Sequence, residues 1–145
     1  MATKVWAILK GKGYEVITVS PHDSIASVVN VLANNRIGAV PVVDEGGSLA
    51  GIISERDIIR AMARHGDGVT KLTAASLMSR EVKTCTPEDS LVDLMQVMTH
   101  EHIRHVPVLK DGALHGIVSM RDVVKSRLDE MEFEVEELRR YICQS

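Results

Sequence analysis

The chain has 145 residues, of which 45% are hydrophobic and 26% are charged, and its formal net charge is −3. This length suits one compact domain or two small ones and excludes a large enzyme. Aromatic residues make up only 3% of the chain, so we expect an aliphatic core. The slightly acidic balance gives no general attraction to nucleic acid or to an anionic membrane, and any phosphate must therefore be bound by locally placed cations.

Cys85 and Cys143 are the only cysteines. They are too few for a disulfide framework and lack the paired spacing of a zinc site, so we expect Cys85 to be a small buried residue. The amino terminus has no apolar stretch of signal-peptide length, and no segment approaches the roughly 20 apolar residues that span a bilayer. The expectation is a cytoplasmic protein that binds neither membrane nor nucleic acid.

An internal repeat is the most informative feature of the sequence. Residues 18–59 align with residues 84–124 at an offset of 66, which falls to 65 after a one-residue deletion beside Gly112. A repeat of this kind determines how the whole fold is built. The main identical positions are Pro21 with Pro87, Pro41 with Pro107, Gly51 with Gly116, Ser54 with Ser119, and Asp57 with Asp122.

Each copy predicts the same order of elements: strand, helix, strand, strand, helix. The short first strand covers residues 16–19 or 82–85, and Asp23-Ser24 or Asp89-Ser90 then supplies residue types that cap a helix. Apolar residues at helical spacing follow, and then two β-branched or apolar runs joined by a glycine-containing turn. The second helix of each copy opens at Arg56-Asp57 or Arg121-Asp122.

The repeat also predicts the domain organisation. We expect a first repeat with its N-terminal segment over residues 1–66, a polar linker over 67–75, a second repeat over 76–126 and a helical extension over 127–145. A unit of roughly 55 residues is marginal alone, so the two copies should pack together. The predicted fold class is α/β (α+β), with two β-α-β-β-α repeats related by pseudo-twofold symmetry and a long C-terminal helix.

Apolar residues continue beyond the second repeat at spacings of 4, 3, 4, 3 and 4, which is a heptad pattern. We expect one helix from about Arg121 to Cys143. An apolar stripe of this length is expected to pack on a second subunit or, alternatively, within the chain. The residues of the stripe are Val124, Leu128, Met131, Val135, Leu138 and Ile142.

The run h-P-V-h, turn, G-h-h-S-x-x-D, present twice between residue 16 and about residue 124, closely resembles the CBS (cystathionine-beta-synthase) domain family. The resemblance implies a stand-alone two-repeat module, or Bateman module, with two clefts between its repeats. Such clefts commonly hold AMP, ADP, ATP, NAD(H) or S-adenosylmethionine, and two modules usually form a disc-shaped homodimer. It further implies a regulatory module that signals to a separate, unknown protein and is not an enzyme.

The residue types fit an adenosine ligand. Asp57 and Asp122 stand in the first turn of their helices, where the helix dipole favours a carboxylate that can accept hydrogen bonds from both ribose hydroxyls. Ser54 and Ser119 place a hydroxyl at the same helix entrances, and the backbone amides there can face phosphate oxygens.

The resemblance implies that each cleft combines one repeat's Asp with the first strand and the VPV region of the other repeat. We expect the first cleft to be more positive and to prefer the more phosphorylated ligand, because Arg104 and His105 stand where the second has Gly38 and Ala39. The first cleft would contain Ser54, Arg56, Asp57, Thr84, Thr86, Ile103, Arg104, His105, Val106 and Pro107. The second would contain Ser119, Arg121, Asp122, Thr18, Ser20, Ile37, Gly38, Ala39, Val40 and Pro41.

Structural interpretations remain open beside the functional ones. An Asp in the first turn of a helix is often only a dipole partner, and Arg56 or Arg121 can pair with a carboxylate on a solvated face. His100 and His105 are five residues apart, about 140° around a helix, so we expect no metal site. The alternative function is an assembly protein that dimerises through its helices without a sensing role, and a small enzyme is a third hypothesis.

Overall fold

A computed structural model of the chain describes residues 3–144. Within this range the chain forms a mixed α+β fold, as the sequence predicted, and none of its helices is long and apolar enough to cross a membrane. In chain order the elements are α1 (Val5–Lys12), α2 (Ile25–Asn35), β1 (Ala39–Val43), β2 (Leu49–Ser54), α3 (Glu55–His65), a 3-10 helix (Gly66–Lys71), α4 (Ala74–Leu77), α5 (Leu91–Glu101), β3 (His105–Lys110), β4 (Ala113–Ser119) and α6 (Met120–Cys143).

Serine side chains begin the first helix of each repeat. The Ser24 hydroxyl accepts a hydrogen bond from the N–H of Ser27 at 3.2 Å, and the Ser90 hydroxyl accepts one from the N–H of Asp93 at 3.1 Å. Both serines satisfy an N–H group that has no partner within its own helix. The predicted caps of α2 and α5 are therefore confirmed.

Each repeat forms one two-stranded antiparallel sheet, β1 with β2 and β3 with β4. The first strand predicted for each repeat is reduced to a single parallel bridge, which joins Val19 to Val42 in one repeat and Cys85 to Val108 in the other. Only Val19 and Cys85 are buried in their segments. The prediction of a full strand was wrong because the flanking residues have no buried face to pack.

Cys85 lies in the hydrophobic core of the second repeat and is 7% exposed. Burial, helped by the nearby carboxylate of Asp89, raises the pKa of the Cys85 thiol to about 12. The thiol therefore stays protonated and unreactive, and Cys85 acts as the small packing residue that the sequence predicted.

The two hydrophobic cores do not follow the order of the chain. Val5 and Leu9 of α1 are fully buried in the core of the second repeat, whereas Val69 and Ala74, which follow α3, are buried in the core of the first. The sequence-based boundary placed the N-terminal segment with the first repeat over residues 1–66. The packing instead places its described part with the second repeat.

Equivalent backbone hydrogen bonds hold these exchanged segments. The N–H of Ala74 donates to the carbonyl of Asp23 at 2.8 Å, and the N–H of Val5 donates to the carbonyl of Asp89 at 2.9 Å. Asp23 and Asp89 are equivalent positions of the repeat. The segment that precedes each repeat in the chain is thus packed on the other repeat. The two repeats exchange these segments in a pseudo-twofold manner.

The last helix matches its prediction within one residue. Its first half packs on α1, β4 and α5, but every described residue from 131 to 144 is exposed. Packing within the chain therefore does not cover the C-terminal half of the apolar stripe. The exposed fractions include 54% at Leu128, 48% at Met131, 49% at Val135 and 60% at Leu138.

A neighbouring segment lies against the backbone at the equivalent positions Gly51 and Gly116. A Cβ atom at Gly51 would lie 2.7 Å from the Ser79 carbonyl oxygen, and one at Gly116 would lie 2.7 Å from a terminal methyl of Leu9. The backbone oxygen cannot move without its chain, whereas the end of a leucine can rotate. Each exchanged segment therefore packs on a strand glycine of the opposite repeat.

Gly51→Ala should lower the free energy of unfolding by about 1–3 kcal/mol, because the added methyl overlaps backbone. Gly116→Ala should cost less, since it meets only a side-chain end. Gly68→Ala is the control, because a Cβ there meets nothing within 4 Å. Urea unfolding of the three variants measures the order, and an equal loss in all three would contradict this packing.

Candidate functional site between the repeats

The Asp of each S-x-x-D motif belongs to a capping box. The N–H of Ser54 donates to Asp57 Oδ2 at 2.8 Å while the N–H of Asp57 donates to Ser54 Oγ at 3.2 Å. Ser119 and Asp122 make the same reciprocal pair at 2.9 Å and 3.1 Å. The motif therefore has a structural role at the starts of α3 and α6, and any ligand contact must use what the cap leaves available.

The cap occupies only one carboxylate oxygen of Asp57. Oδ2 accepts both from the Ser54 N–H and from the Ser54 hydroxyl, the latter at 2.9 Å, whereas no residue from 3 to 144 donates to Oδ1. Asp57 is half-buried and lines a cavity of about 420 Å³ between the two repeats. An ionised carboxylate oxygen in such a place can accept hydrogen bonds from a ligand.

This first cavity lies at the meeting of the two repeats and is within the usual size of small-molecule sites. Ile52 and Ile103 give it apolar surface, and Arg60, one turn after Asp57, adds a cation to those predicted. Six of the residues predicted for the first cleft line it: Ser54, Arg56, Asp57, Ile103, Arg104 and His105.

A second cavity, of about 510 Å³, shares a wall with the first. The residues that line both are Gly38, Ala39, Arg104 and His105. The two cavities therefore adjoin each other at these four residues. The residues predicted for the second cleft that line this cavity are Ser119, Arg121, Ile37, Gly38, Ala39 and Pro41.

The prediction that the first cleft is the more positive one was wrong, because the second cavity has more cationic and fewer acidic side chains in its lining. The second cavity is lined by four cationic side chains and Glu15, and the first by three arginines with Glu55 and Asp57. The comparison of aligned positions missed Lys12, which comes from the exchanged α1, and Arg36, which ends α2. The cations of the second cavity are Lys12, Arg36, Arg104 and Arg121.

Lys12 makes the two S-x-x-D motifs unequal. Its Nζ atom donates to Asp122 Oδ2 at 2.7 Å and to the carbonyl of Ile117 at 2.8 Å. Burial alone would raise the pKa of Asp122, but the hydrogen bonds from Lys12 and Ser119 outweigh it and hold the pKa below its usual value. Asp122 is therefore ionised and paired, and it does not line the second cavity.

Two groups of predicted site residues lie elsewhere. Val40 and Val106 are fully buried in the hydrophobic cores of their repeats. Side chains alternate along a strand, and these two point into the core. Pro107 is likewise buried and lines neither cavity.

The polar residues predicted from the first strands also remain outside both cavities. The N–H groups of Ser20 and Thr86 donate to Asp23 and Asp89 at 3.0 Å and 2.8 Å, so these residues form the turns before α2 and α5. Thr18 and Thr84 are exposed and line neither cavity. The reduced first strands do not carry them to the cavity walls.

Arg36 and His102 are site residues that the sequence reasoning missed. They end α2 and α5 with left-handed backbone, at φ 53° and 55°, and line the second and first cavities respectively. Their separation of 66 residues is the repeat offset, so the alignment contained the signal. Lys12 lies outside the aligned repeat, so the alignment contained no signal for it.

His105 lies in the wall between the cavities. Its ring carbon Cε1 is 3.4 Å from where a Cβ on Gly38 would stand. Burial lowers the pKa of His105, Lys12 and Arg104 lower it further, and Asp122 and Glu55 oppose them. The imidazole is therefore neutral at pH 7 and contributes hydrogen-bonding groups and not the positive charge expected of it.

The histidines form no metal site that the structure reveals. Within residues 3–144, no three His, Cys, Asp or Glu side chains are grouped to hold a metal ion.

Two cavities between duplicated β-β-α units, each next to an S-x-x-D helix start, define a two-repeat fold with cavities between its repeats. The CBS domain family model matches residues 13–64 and 74–129. The chain belongs to the CBS domain family and carries two copies of the domain.

Particular relatives agree with this assignment. The chain is 34% identical over 149 residues to the mitochondrial CBS domain-containing protein CBSX3 of Arabidopsis thaliana, covering 97% of this chain and 72% of the relative. The chain also resembles the crystal structure of the CBS-domain containing protein ATU1752 from Agrobacterium tumefaciens, with a TM-score of 0.84 and 40% sequence identity. That match covers 88% of this chain and 95% of the other.

A third similarity includes bound molecules. The CBS domain pair of protein MJ0100, crystallised in complex with 5′-methylthioadenosine and S-adenosyl-L-methionine, is 30% identical with a TM-score of 0.74. The match covers 91% of this chain and 99% of that one. Both of those ligands contain adenosine.

Lys12→Met should raise the pKa of Asp122, because burial would then act with less opposition from hydrogen bonds. Lys10→Met is the matched control, since Lys10 is an exposed residue of the same helix. Carboxyl carbon chemical shifts followed by NMR during a pH titration measure this pKa. An unchanged Asp122 pKa in Lys12→Met would show that the Lys12 contact does not persist in solution.

Proposed function

We propose that this chain binds an adenosine-containing ligand in the first cavity, between its two CBS repeats, and reports the bound state to a separate protein. The observation that carries the proposal is the half-buried Asp57 carboxylate, whose Oδ1 oxygen is left without a protein donor among residues 3–144. A ribose presents two adjacent hydroxyl donors, which suit an ionised carboxylate.

The rest of the cavity supports the same ligand class. Ile52 and Ile103 offer apolar surface to a purine ring, while Arg56, Arg60 and Arg104 offer charge-assisted hydrogen bonds to phosphate or carboxylate groups. Arg56 and Arg60 form no ion pair with any side chain in the described range. AMP, ADP, ATP, NAD(H) and S-adenosylmethionine all combine an adenosine with such groups or with a cationic substituent.

The same geometry suggests how the ligand acts. Asp57 and Arg60 belong to the first repeat, and Ile103 and Arg104 belong to the second. A ligand that contacts both repeats stabilises whichever relative arrangement of them it binds better, and by no more than its difference in affinity. We propose that a partner protein recognises that arrangement, in a cytoplasmic homodimer that performs no catalysis of its own.

The second cavity is proposed as the weaker adenosine site. Asp122 Oδ2 accepts hydrogen bonds from both Lys12 and the Ser119 N–H. Because Lys12 already neutralises part of the carboxylate charge, Asp122 should attract ribose hydroxyls less strongly than Asp57 does. Such a partly exposed ion pair is weak, so the second site is weakened and not abolished. Ligands with several phosphates have a compensating attraction to its four cationic side chains.

Asp57→Asn should weaken binding of AMP and of 5′-methylthioadenosine by about tenfold to a hundredfold, the loss expected when a charged hydrogen-bond acceptor is removed. The amide oxygen of asparagine still accepts the Ser54 N–H, so the cap of α3 is kept. Isothermal titration calorimetry measures the affinity and the number of sites.

Asp122→Asn is the matched control, because it makes the same change where Lys12 already pairs with the carboxylate. A smaller effect than that of Asp57→Asn is expected. Equal effects would contradict the proposed order of the two sites. Wild-type protein that binds none of AMP, ADP, ATP, NAD(H), S-adenosylmethionine and 5′-methylthioadenosine would overturn the sensing function.

A second candidate function is favoured by the exposed apolar stripe of α6. An assembly protein that joins subunits through its helices needs such a surface and does not need an adenosine ligand. Retained self-association together with no binding of any of these compounds would support it. Turnover of a nucleotide by the purified protein would instead revive the enzyme hypothesis.

A further inference from the structure

The C-terminal half of α6 is not covered by the rest of the described chain. Thr3 donates its N–H to the Glu130 carboxylate at 3.2 Å, and Arg127 pairs with the same carboxylate at 2.7 Å. After Glu130 every described residue is exposed. The remaining helix, to Cys143, is about 20 Å long at 1.5 Å per residue.

One face of this segment is apolar, and we call it the α6 seam: Leu128, Met131, Val135 and Leu138. These residues recur at the 3 and 4 spacing of heptad positions a and d, with Leu128 and Val135 at a. They are between 48% and 60% exposed. A lone helix of this length is only marginally stable in water, so the seam needs a partner surface.

We propose that the α6 seam packs on the same seam of a second copy, as a parallel, in-register, two-stranded coiled coil. The inference deepens the homodimer of the proposed function by naming the contact and its direction. It does not depend on ligand binding, and the two can fail separately.

Charge complementarity selects the parallel direction. In a parallel pair, position g of one helix meets position e of the next heptad on the other helix. Arg127 at g then meets Glu132 of the second copy, and Glu134 at g meets Arg139 of the second copy. Both contacts join opposite charges, and the twofold axis makes each of them occur twice.

An antiparallel pair centred on the same seam is disfavoured by the same residues. With Leu128 opposite Leu138, position e meets e and position g meets g. Glu132 would then face Glu132 of the second copy, and Glu134 would face Glu134 of the second copy. Lys125 would face Arg139 of the second copy. Like charges at these flanking positions are destabilising. Antiparallel registers shifted by a heptad avoid these clashes but leave one end of the seam uncovered.

One heptad of the seam favours two strands. A β-branched residue at a with leucine at d favours parallel dimers, and Val135 with Leu138 is such a pair. Arg139 is free to form the interchain contact, since the ion pairs of the described residues do not include it. Arg127 would share its charge between Glu130 and the second copy.

Cysteine cross-linking tests the direction. In a Cys143→Ser background, where the remaining Cys85 is buried, Leu138→Cys places one thiol at a d position. A parallel in-register pair brings the two copies of this residue into contact, so mild oxidation should convert most of the protein to a disulfide-linked dimer. Glu136→Cys, on the outer face, should cross-link far less.

Two outcomes would overturn the proposal. One is little cross-linking of Leu138→Cys protein alone with efficient cross-linking when it is mixed with Leu128→Cys or Val135→Cys protein, which indicates an antiparallel pair. The other is no cross-linking of α6 in any combination, even if the protein is a dimer through other surfaces. Neither outcome changes the calorimetric result for Asp57→Asn, so the two proposals are judged independently.

A matched pair of substitutions gives a second readout. Leu138→Asp should raise the dimer dissociation constant at least tenfold, measured by analytical ultracentrifugation, because it buries a charge in the seam. Phe133→Asp introduces the same charge at position f on the opposite face, where Phe133 is 64% exposed, and should leave dissociation unchanged. Equal effects of the two would contradict pairing through the seam.

Discussion

The carboxylate of each S-x-x-D motif has to hold a helix start with one oxygen before it can serve a ligand with the other. This constraint explains why Ser and Asp are three residues apart in both repeats, and why the two helices enter the interface between the repeats at equivalent places. A carboxylate held in a capping box is already ordered, so little conformational freedom is lost when a ligand contacts its outer oxygen. The helix cap and the proposed ligand contact are two uses of one group.

The exchange of flanking segments breaks the equivalence that the repeat would otherwise impose. Because α1 packs in the second repeat, its last residue, Lys12, reaches Asp122. The corresponding segment packed on the first repeat contains α4 and the residues after it. It places Met78 and Ser79 against Gly51, and none of its side chains forms an ion pair with Asp57. Among the described residues Asp122 has a cationic partner and Asp57 has none, although their own motifs are alike. Identical motifs therefore do not guarantee identical sites.

Much of this was predictable from the sequence. The repeat, the helix caps and the long last helix follow from local patterns in the sequence. The meeting of Arg56 and Asp57 with Arg104 was implied by the family resemblance. The contribution of Lys12 was not predictable, because it depends on α1 crossing to the distant repeat. The inward direction of Val40 was missed for a simpler reason: a VPV strand has a core side and a cleft side, and the resemblance was carried over without separating them.

The proposed ligand binding depends on Asp57 as the ribose acceptor of an adenosine ligand. A crystal structure of the protein with AMP at a concentration that fills one site per chain tests this most directly. The expected result is AMP in the first cavity, with its ribose hydroxyls within hydrogen-bonding distance of Asp57 and with Lys12 still paired to Asp122. AMP bound first at Asp122 with Lys12 displaced, or bound outside both cavities, would contradict the account.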